Sequence, residues 1–573
     1  MMTLKKYLPV CLSGLAALGL FAADFPVPEG TDPFWKPPQK KLIETSWATP
    51  YLDFLVKNIE EMERTAPFQG IRINYWVKGK LPNGKLYDTH DAVVFTKTCW
   101  RYEWFADMIK QLKSVKFKKF TDNFLSAIAS PARFTLEDDQ AWDAVANNFA
   151  VLARVAKETG MKGIMFDPEE YYGQIWAYVP EKNGDYNAAM KLARKRGQAV
   201  GKAMFKEFPE IRFFCLFGIC MDSLHRSSYP LLFQAFMNGL YDVMPYTAKI
   251  IEGREDRGYV AANRDHFRLS RYETDHGLLT RIYPENIEKY KACTQYAPGF
   301  YPDAYFSRWK GDYYFDQIMA EVKRQKTTPL ALFRKNIAES LDYADEYVWV
   351  WSEKGAWWDK VKKNGVKFMW EKHVPGITKA VEAAMDPEKH LDYLAGKGGK
   401  KNLLNNGDFA KNGNIGYIPG WTFWQKDTSK CQYAWEAKSG ANGKPAAVMV
   451  NKAVKAPGVV RETRPKGHAY LYQKIKVNPG SRYLVTAKAS STMPFPGIMR
   501  LSVEWQDSKE DIHPHLSRYA YVLPGKAGEF KTMTMMVSVP QGAEYMTFGL
   551  LGTNVASGEK VIFSDAAVYK LFD

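Results

Sequence analysis

From about residue 45 to about residue 355, short apolar runs alternate with longer stretches of helical periodicity, and this alternation restricts the folds open to the chain more than any other feature. The runs are "GIRINYWV" (70–77), "DAVVFTKT" (91–98), "KKFTDNF" (118–124), "KGIMFDP" (162–168), "IRFFCLFG" (211–218), "TAKIIEG" (247–253), "APGFYPDAYF" (297–306) and "YVWVWSE" (347–353). Parallel strands covered on both faces read as near-continuous apolar runs. Such runs alternating with helices predict an α/β fold, a (β/α)8 barrel. The intervening helices are legible by themselves. "DDQAWDAVANNFAVLARVAKETG" offers Asp139 as its N-cap, apolar residues Trp142, Val145, Phe149 and Leu152 at helical spacing, and Gly160 as its stop.

A chain of 573 residues exceeds what one core can organise, since single cores stop growing at roughly 250–300 residues. The pattern changes after "AGKGGKKN", a Gly- and Lys-rich linker, into short strands with turn residues such as "HAYLYQKIKVNPGSRYLVTAKAS" and "FKTMTMMVSVP". These predict a β-sandwich. The expected organisation is residues 1–22 as a leader, 23–390 as the barrel, 391–401 as the linker and 402–573 as the sandwich. Lys5 and Lys6, an apolar core from about Leu8 to Phe21, and Ala22 and Ala23 read as a secretory signal peptide. A soluble protein, secreted or periplasmic, is expected, with no later run long enough to span a bilayer.

With 46% hydrophobic and 25% charged residues, the composition excludes a largely disordered chain. Seventeen Trp, 33 Tyr and 33 Phe suit a ligand with flat faces, or an aromatic-rich core. Beyond the leader, Cys99, Cys215, Cys220, Cys293 and Cys431 show neither disulfide nor metal-ligand spacing. The net charge is +16, or +14 without the two leader lysines. Its basic residues are scattered over helices rather than gathered in a recognised module, which argues against nucleic acid. Solvated faces or an anionic glycan partner account for them. The oligomeric state is not legible.

The acids are concentrated where the predicted strands stop. Asp122 with Asn123, Asp167 with Glu169, Glu252, Asp303 and Glu353 all occupy such ends, and the carboxyl ends of barrel strands carry active sites. Strand alternation puts Met165, Asp167 and Glu169 on one face and turns Glu170 away; likewise Trp349, Trp351 and Glu353 share a face.

Two resemblances add to this reading. The pieces "NLLNNGDFAKN", "GWTFW", "YLYQKIKVNPGSRYLVTAKA" and "VIFSDAAVYKL" resemble the jelly-roll carbohydrate-binding modules of secreted bacterial glycanases. That resemblance implies a structural calcium held with Asp408 and Asp565, although Ala410 stands where an acid is common. The pieces "FTDNF", "KGIMFDPEEY", "YVWVWSEKGAWW" and "VPGITKAVEAAMDP" are similar to a group of secreted bacterial TIM-barrel proteins regarded as glycoside hydrolases. This similarity implies an enzyme class, not a reaction on a named sugar.

Glycosidic cleavage uses one protonated carboxyl group to assist the leaving group and one ionised carboxylate as nucleophile or base. Glu169 is the expected acid, Glu353 its partner, and Asp167 the group that tunes Glu169 or holds a sugar hydroxyl. Asp122, Asn123, Glu252, Glu255, Asp303, Tyr171, Tyr172, Trp176, Trp351 and Trp357 are expected to bind substrate, each also open to a structural role. No cofactor is expected for catalysis. The reading is a secreted glycoside hydrolase acting on a polysaccharide or complex glycan. A non-catalytic glycan-binding protein and a polysaccharide lyase acting on uronates are the alternatives. Serine or cysteine nucleophile chemistry finds no Gly-x-Ser-x-Gly elbow, and His225, His266 and His276 are unclustered.

Overall fold

The structure, a computed structural model, describes residues 39–89, 92–171, 175–221, 232–307, 313–358, 366–394, 401–425, 431–452, 467–493, 498–509, 517–521 and 526–572. The leader with its cleavage site near Ala22, Tyr172, His225 and most of the linker lie outside the described residues.

The first lobe is built on β1 (Lys41–Ser46), β2 (Gly70–Ile73), a hairpin of β3 (Val77–Lys80) and β4 (Leu86–Thr89), β5 (Phe124–Ile128), β6 (Gly163–Asp167), β7 (Arg212–Cys215), β8 (Lys249–Glu252), β9 (Thr294–Tyr296), β10 (Gly299–Phe300) and β11 (Tyr347–Ser352). Nine of these strands form one sheet in the order β10-β11-β1-β2-β5-β6-β7-β8-β9, and every pairing in it is parallel. Helices such as Asp139–Glu158 and Tyr186–Glu207 connect the strands. Asp138 caps the first of these through Ala141 N–H (3.0 Å), one residue earlier than the sequence suggests.

The sheet curls round a filled interior. The Phe214 ring of β7 meets Phe124 of β5 at 5.5 Å and Tyr347 of β11 at 6.0 Å, although these strands are not neighbours. The edge strands β9 and β10 are consecutive in the chain, separated by Ala297 and Pro298. Pro298 has no N–H to donate, and the ladder is open at that seam. The expected eight-stranded closed barrel is thus corrected to nine parallel strands with an open seam, in the expected strand-and-helix architecture.

Two strand assignments also change. "KLIETS" forms β1, whereas in the run at 91–98 only Val93 bridges to Ile128 among the described residues. β5 begins at Phe124 instead of ending there. The reason is turn chemistry: the Asn123 side chain donates to Phe120 O (2.8 Å) and accepts from Ile71 N–H (3.2 Å), so it closes a turn before the strand starts.

The C-terminal lobe holds two five-stranded antiparallel sheets, as the expected sandwich requires. One runs in the order Thr422–Gln425, Gly467–Lys476, Tyr545–Val555, Ile498–Gln506, Arg518–Tyr521. The other runs Cys431–Glu436, Ala446–Asn451, Lys560–Phe572, Arg482–Ser491, Lys531–Ser538. Their inner faces share an apolar core that includes Leu471, Val485, Leu501, Phe548 and Phe563.

A third, small cluster of Ala383, Leu391, Leu394, Leu484 and Leu571 joins the lobes. Beside it, fully buried Arg482 pairs with fully buried Glu339 (3.3 Å) and with Asp342 (3.3 Å), while Arg264 bonds the same two acids. Burial alone pushes the Glu339 carboxyl up, but Arg482 and Arg264 outweigh it and hold the group below its ordinary value. Removing one partner of a buried pair strands the other charge. Arg482→Met is therefore expected to cost about 3 kcal/mol or more, measured by urea unfolding. A cost near zero would mean that the pair leaves the seam's stability unchanged.

Candidate active site

Strand register determines which side chains meet at the carboxyl end of the sheet. Ile128 pairs with Asp167 and Met165 with Phe214, so successive inward positions line up across neighbouring strands. The ends of β1, β2, β5, β6, β7, β8, β10 and β11 contribute to one cavity of about 680 Å³. Its chemistry comes from Arg72, Asp167, Glu169, Tyr171, Glu255 and Glu353, and its apolar walls include Trp47, Tyr259, Tyr301 and Trp351.

Asp167 and Glu169 stand together on one wall. The Asp167 carboxylate accepts from Glu169 N–H (3.0 Å), which sets the bend after the strand, and Glu169 receives the Tyr171 hydroxyl. Burial first, then the Asp167 charge, push the Glu169 carboxyl up to about 7, against the Tyr171 hydrogen bond. Burial also raises Asp167, while Arg72 opposes the shift. Glu255 is raised further, first by burial and then by Glu169 and Asp167. Burial and mutual repulsion thus act together on these three carboxyl groups, so they do not ionise independently.

Glu353 lies just past the end of β11, four strands along the sheet from β6. It accepts Tyr301 Oη–H (2.5 Å) and pairs with Lys354 Nζ (2.7 Å). Beneath it, Asp303 accepts the backbone N–H groups of Glu353 (2.9 Å) and Lys354 (3.2 Å). Asp303 is fully buried and lines no part of the cavity, so its expected contact with substrate is corrected to a role in positioning Glu353.

Glu255 is aimed by an uncommon backbone. Arg254, just before it, is left-handed (φ 45°). Its guanidinium is tied to Asp256 (2.9 Å), Glu273 (2.8 Å) and Thr274 Oγ1 (2.9 Å), which offsets the local strain.

Four other expected substrate contacts lie away from the cavity. Asp122 and Asn123 precede β5 and so belong to the opposite, amino end of the sheet. Asp122 is buried there against Lys41 Nζ (2.7 Å) and Tyr347 Oη (2.8 Å). Trp176 is core: its indole donates to Pro168 O (2.7 Å) and packs on Phe233 and Phe236. Trp357 is buried too, donating to Ser352 Oγ (3.1 Å) and meeting Phe68 edge-on.

Glu252 also points outward, because it pairs in register with Cys215 and not with inward Phe214. Its oxygens accept Gly218 and Ile219 N–H, both at 2.8 Å. A Cβ on Gly218 would come within 2.4 Å of that carboxylate, so a larger residue there would displace Glu252 from these bonds. Glu170 is turned away as expected, but it is buried and accepts Ala132 N–H (3.3 Å).

The calcium donors implied by resemblance lie on adjoining segments, where Ala566 N–H donates to Gly407 O (2.9 Å). Asp565 is paired with Lys444 (3.2 Å) and Lys488 (3.0 Å), and Asp408 bonds Ala410 N–H within its own loop. Two ammonium groups thus supply the countercharge at Asp565, and no group of three acidic, His or Cys ligands occurs among the described residues.

The sequence reading missed Arg72, Trp47, Tyr259, Tyr301 and Tyr314. Arg72 carried a signal as the lone charge in "GIRIN"; its guanidinium lies 5.4 Å from the Trp351 ring centroid. It also missed Glu44 of β1, which pairs in register with Ile71 of β2 and Val350 of β11. Glu44 is fully buried, and neither oxygen has a hydrogen-bond partner among the described residues.

No family model matches the chain, and no curated protein matches it. Solved structures do show similarity. The active domain of tailspike protein 4 of bacteriophage CBA120 is 14% identical over 30% of this chain and 21% of that one, with TM-score 0.22. The carbohydrate-binding and GH10 modules of Clostridium thermocellum endo-1,4-beta-D-xylanase 10B are 16% identical over 30% and 28%, TM-score 0.21. A CBM4 structure is 15% identical over 29% and 99%, TM-score 0.20. The chain therefore spans under a third of the first two proteins. At such values chemistry must be argued from the site itself.

Burial pushes Glu44, like Glu169, from the ordinary 4.5 up to about 7. The folded chain then keeps protons that the unfolded chain has lost, so stability falls as pH rises from about 4.5 to about 7 and levels above. Glu44→Gln should flatten that slope, measured as urea midpoints from pH 4.5 to 8. An unchanged slope would show that Glu44 does not titrate there.

Proposed function

We propose that the chain is a glycoside hydrolase acting on a polysaccharide or complex glycan, with its chemistry in the carboxylate cavity and a glycan-binding C-terminal module at about residues 402–573. One observation carries the reading: Glu169, just past β6, and Glu353, just past β11 and bonded by Lys354 and Tyr301, line the same cavity, and burial with the Asp167 charge pushes the Glu169 carboxyl up to about 7.

Glu169 protonates the leaving oxygen. Glu353 acts as nucleophile or activates water, and microscopic reversibility lets Glu169 return as base. Asp167 serves Glu169 twice, through its charge and through its bond to Glu169 N–H. Tyr259, Tyr301 and Tyr314 form an aromatic cluster, with the first two stacked at 5.0 Å, beside which a sugar ring can lie. Glu255, whose carboxyl is raised by burial and by the Glu169 and Asp167 charges, is placed to hydrogen-bond a sugar hydroxyl. Export as a soluble protein remains part of the proposal. In the C-terminal lobe Trp421 and Trp505 are buried and Trp424 is 50% exposed, so Trp424 is the tryptophan of the three placed to stack on a glycan.

Glu169→Gln should lower turnover by at least about 100-fold on substrates with poor leaving groups, and by less on aryl glycosides with activated ones. The wild-type rate should decline above about pH 7, where Glu169 loses its proton. Glu353→Gln should be damaging with either leaving group. Reducing ends and ultraviolet-absorbing unsaturated products are followed together. Full activity in Glu169→Gln sinks the assignment, and unsaturated products without hydrolysis would favour a lyase.

Binding by the C-terminal lobe is tested by Trp424→Ala in an affinity gel carrying the polysaccharide that the wild type binds. Retention should weaken several-fold, and equal retention would remove Trp424 from the binding face.

A further inference from the structure

The cavity used above is not the largest recess. A cleft of about 1070 Å³ opens at the junction of the lobes and shares no lining residue with the carboxylate cavity. Its walls carry Arg264, Arg268, Arg324 and Lys335 from the first lobe, and Arg518 and Lys570 from the sandwich. Against these six cations stand two lining acids, Asp265 and Glu339.

The pairing within the cleft leaves positive charge over. Arg264 is held by Glu339 and Asp342, Arg324 by Glu321, and Arg268 by Asp265 at 3.3 Å. Lys335 is different. Its ammonium donates to neutral acceptors, Gln325 Oε1 (2.8 Å) and Gly480 O (3.4 Å), one from each lobe. Arg518 donates to Ser517 O (3.3 Å) and has no carboxylate partner among the described residues. Its charge reaches Tyr343 of the opposite lobe. Burial lowers the Lys335 ammonium, the Glu339 and Glu321 charges oppose this, and the Arg482 and Arg324 charges act with burial. Glu339 is already paired with Arg482 and Arg264, and Glu321 with Arg324, so the cleft keeps an excess of positive charge that a bound anion would offset.

We propose that this cleft is a second glycan site, which binds a segment of an anionic polysaccharide through its sulfate or carboxylate groups. Lys335 and Arg518 supply the charge-assisted hydrogen bonds from the two walls. The inference rests on the glycan reading above and specifies its substrate class as polyanionic. The cleft is lined by both lobes, which the Arg482–Glu339 pair bridges, so its two walls are already brought together in the folded chain.

Native affinity electrophoresis of the full chain tests this, with dextran sulfate, polygalacturonate and neutral dextran as probes. The two anionic polymers should retard the wild type, less so as salt rises, and dextran should not. Lys335→Gln/Arg518→Gln should weaken retention by at least about tenfold, equivalent to about 1.4 kcal/mol. Lys195→Gln/Lys202→Gln, an equal charge loss on the exposed face of the helix Tyr186–Glu207, should not. Arg518→Gln alone, at an exposed position, keeps the test valid should the buried substitution impair folding.

Equal losses in the two double variants would overturn the proposal, as would no retention by either polyanion. Equal binding of duplex DNA at matched charge would overturn it in favour of a nucleic-acid surface. Hydrolysis of an aryl glycoside by the same wild-type preparation is read separately, so failure of the hydrolase reading is distinguishable from failure of this site.

Discussion

The parallel hydrogen-bond ladder is the constraint on which the rest depends. It holds neighbouring strands in a common register, and a period of two then commits every second side chain to the interior. One residue of slip would turn Asp167 and Glu169 out and Phe166 and Glu170 in. The fully buried pair Trp349 and Phe214 resists such a slip, since the Trp349 indole also donates to Gly253 O (2.8 Å) and Ala297 O (3.0 Å) next to the open seam. Chemistry at the carboxyl end thus inherits its precision from packing below it.

Electrostatics in the cavity follow from burial and from a shortage of countercharge. Arg72 is a buried cation lining it, and its charge opposes the upward shift of both Asp167 and Glu44. With three acids raised together on the β6 and β8 side and Lys354 beside Glu353, the cavity is unequal in charge from wall to wall. That asymmetry allows chemically similar carboxyl groups to take different protonation states, the condition a two-carboxylate mechanism requires.

The lobes are coupled by the same physics with opposite outcome. At the seam, Arg482 and Arg264 are matched by Glu339 and Asp342, and the charges stabilise one another. A short way off, Lys335 donates to neutral acceptors and Arg518 has no carboxylate partner among the described residues, which is the arrangement behind the proposed binding surface.

Much of this was legible in the chain. The runs around "GIMFDPEEYYG" and "YVWVWSE" have the length, composition and period of buried parallel strands, so the placement of Asp167, Glu169, Trp351 and Glu353 on inward faces follows from local sequence. The change from strand-and-helix alternation to short strands with turn residues likewise announces the sandwich. Tertiary structure decided what local pattern does not encode. Whether Asp122 ends a strand or starts one depended on a turn closed by Asn123 on a distant strand, through Ile71. Which way Glu252 points depended on pairing with Cys215. The indoles of Trp176 and Trp357 found buried acceptors, Pro168 O and Ser352 Oγ, and became core. Arg72, Tyr259 and Tyr301 entered the site because curling brings strands far apart in sequence to one rim. Period and composition act over a few residues, whereas register, curvature and the pairing of charges are properties of contacts between remote segments.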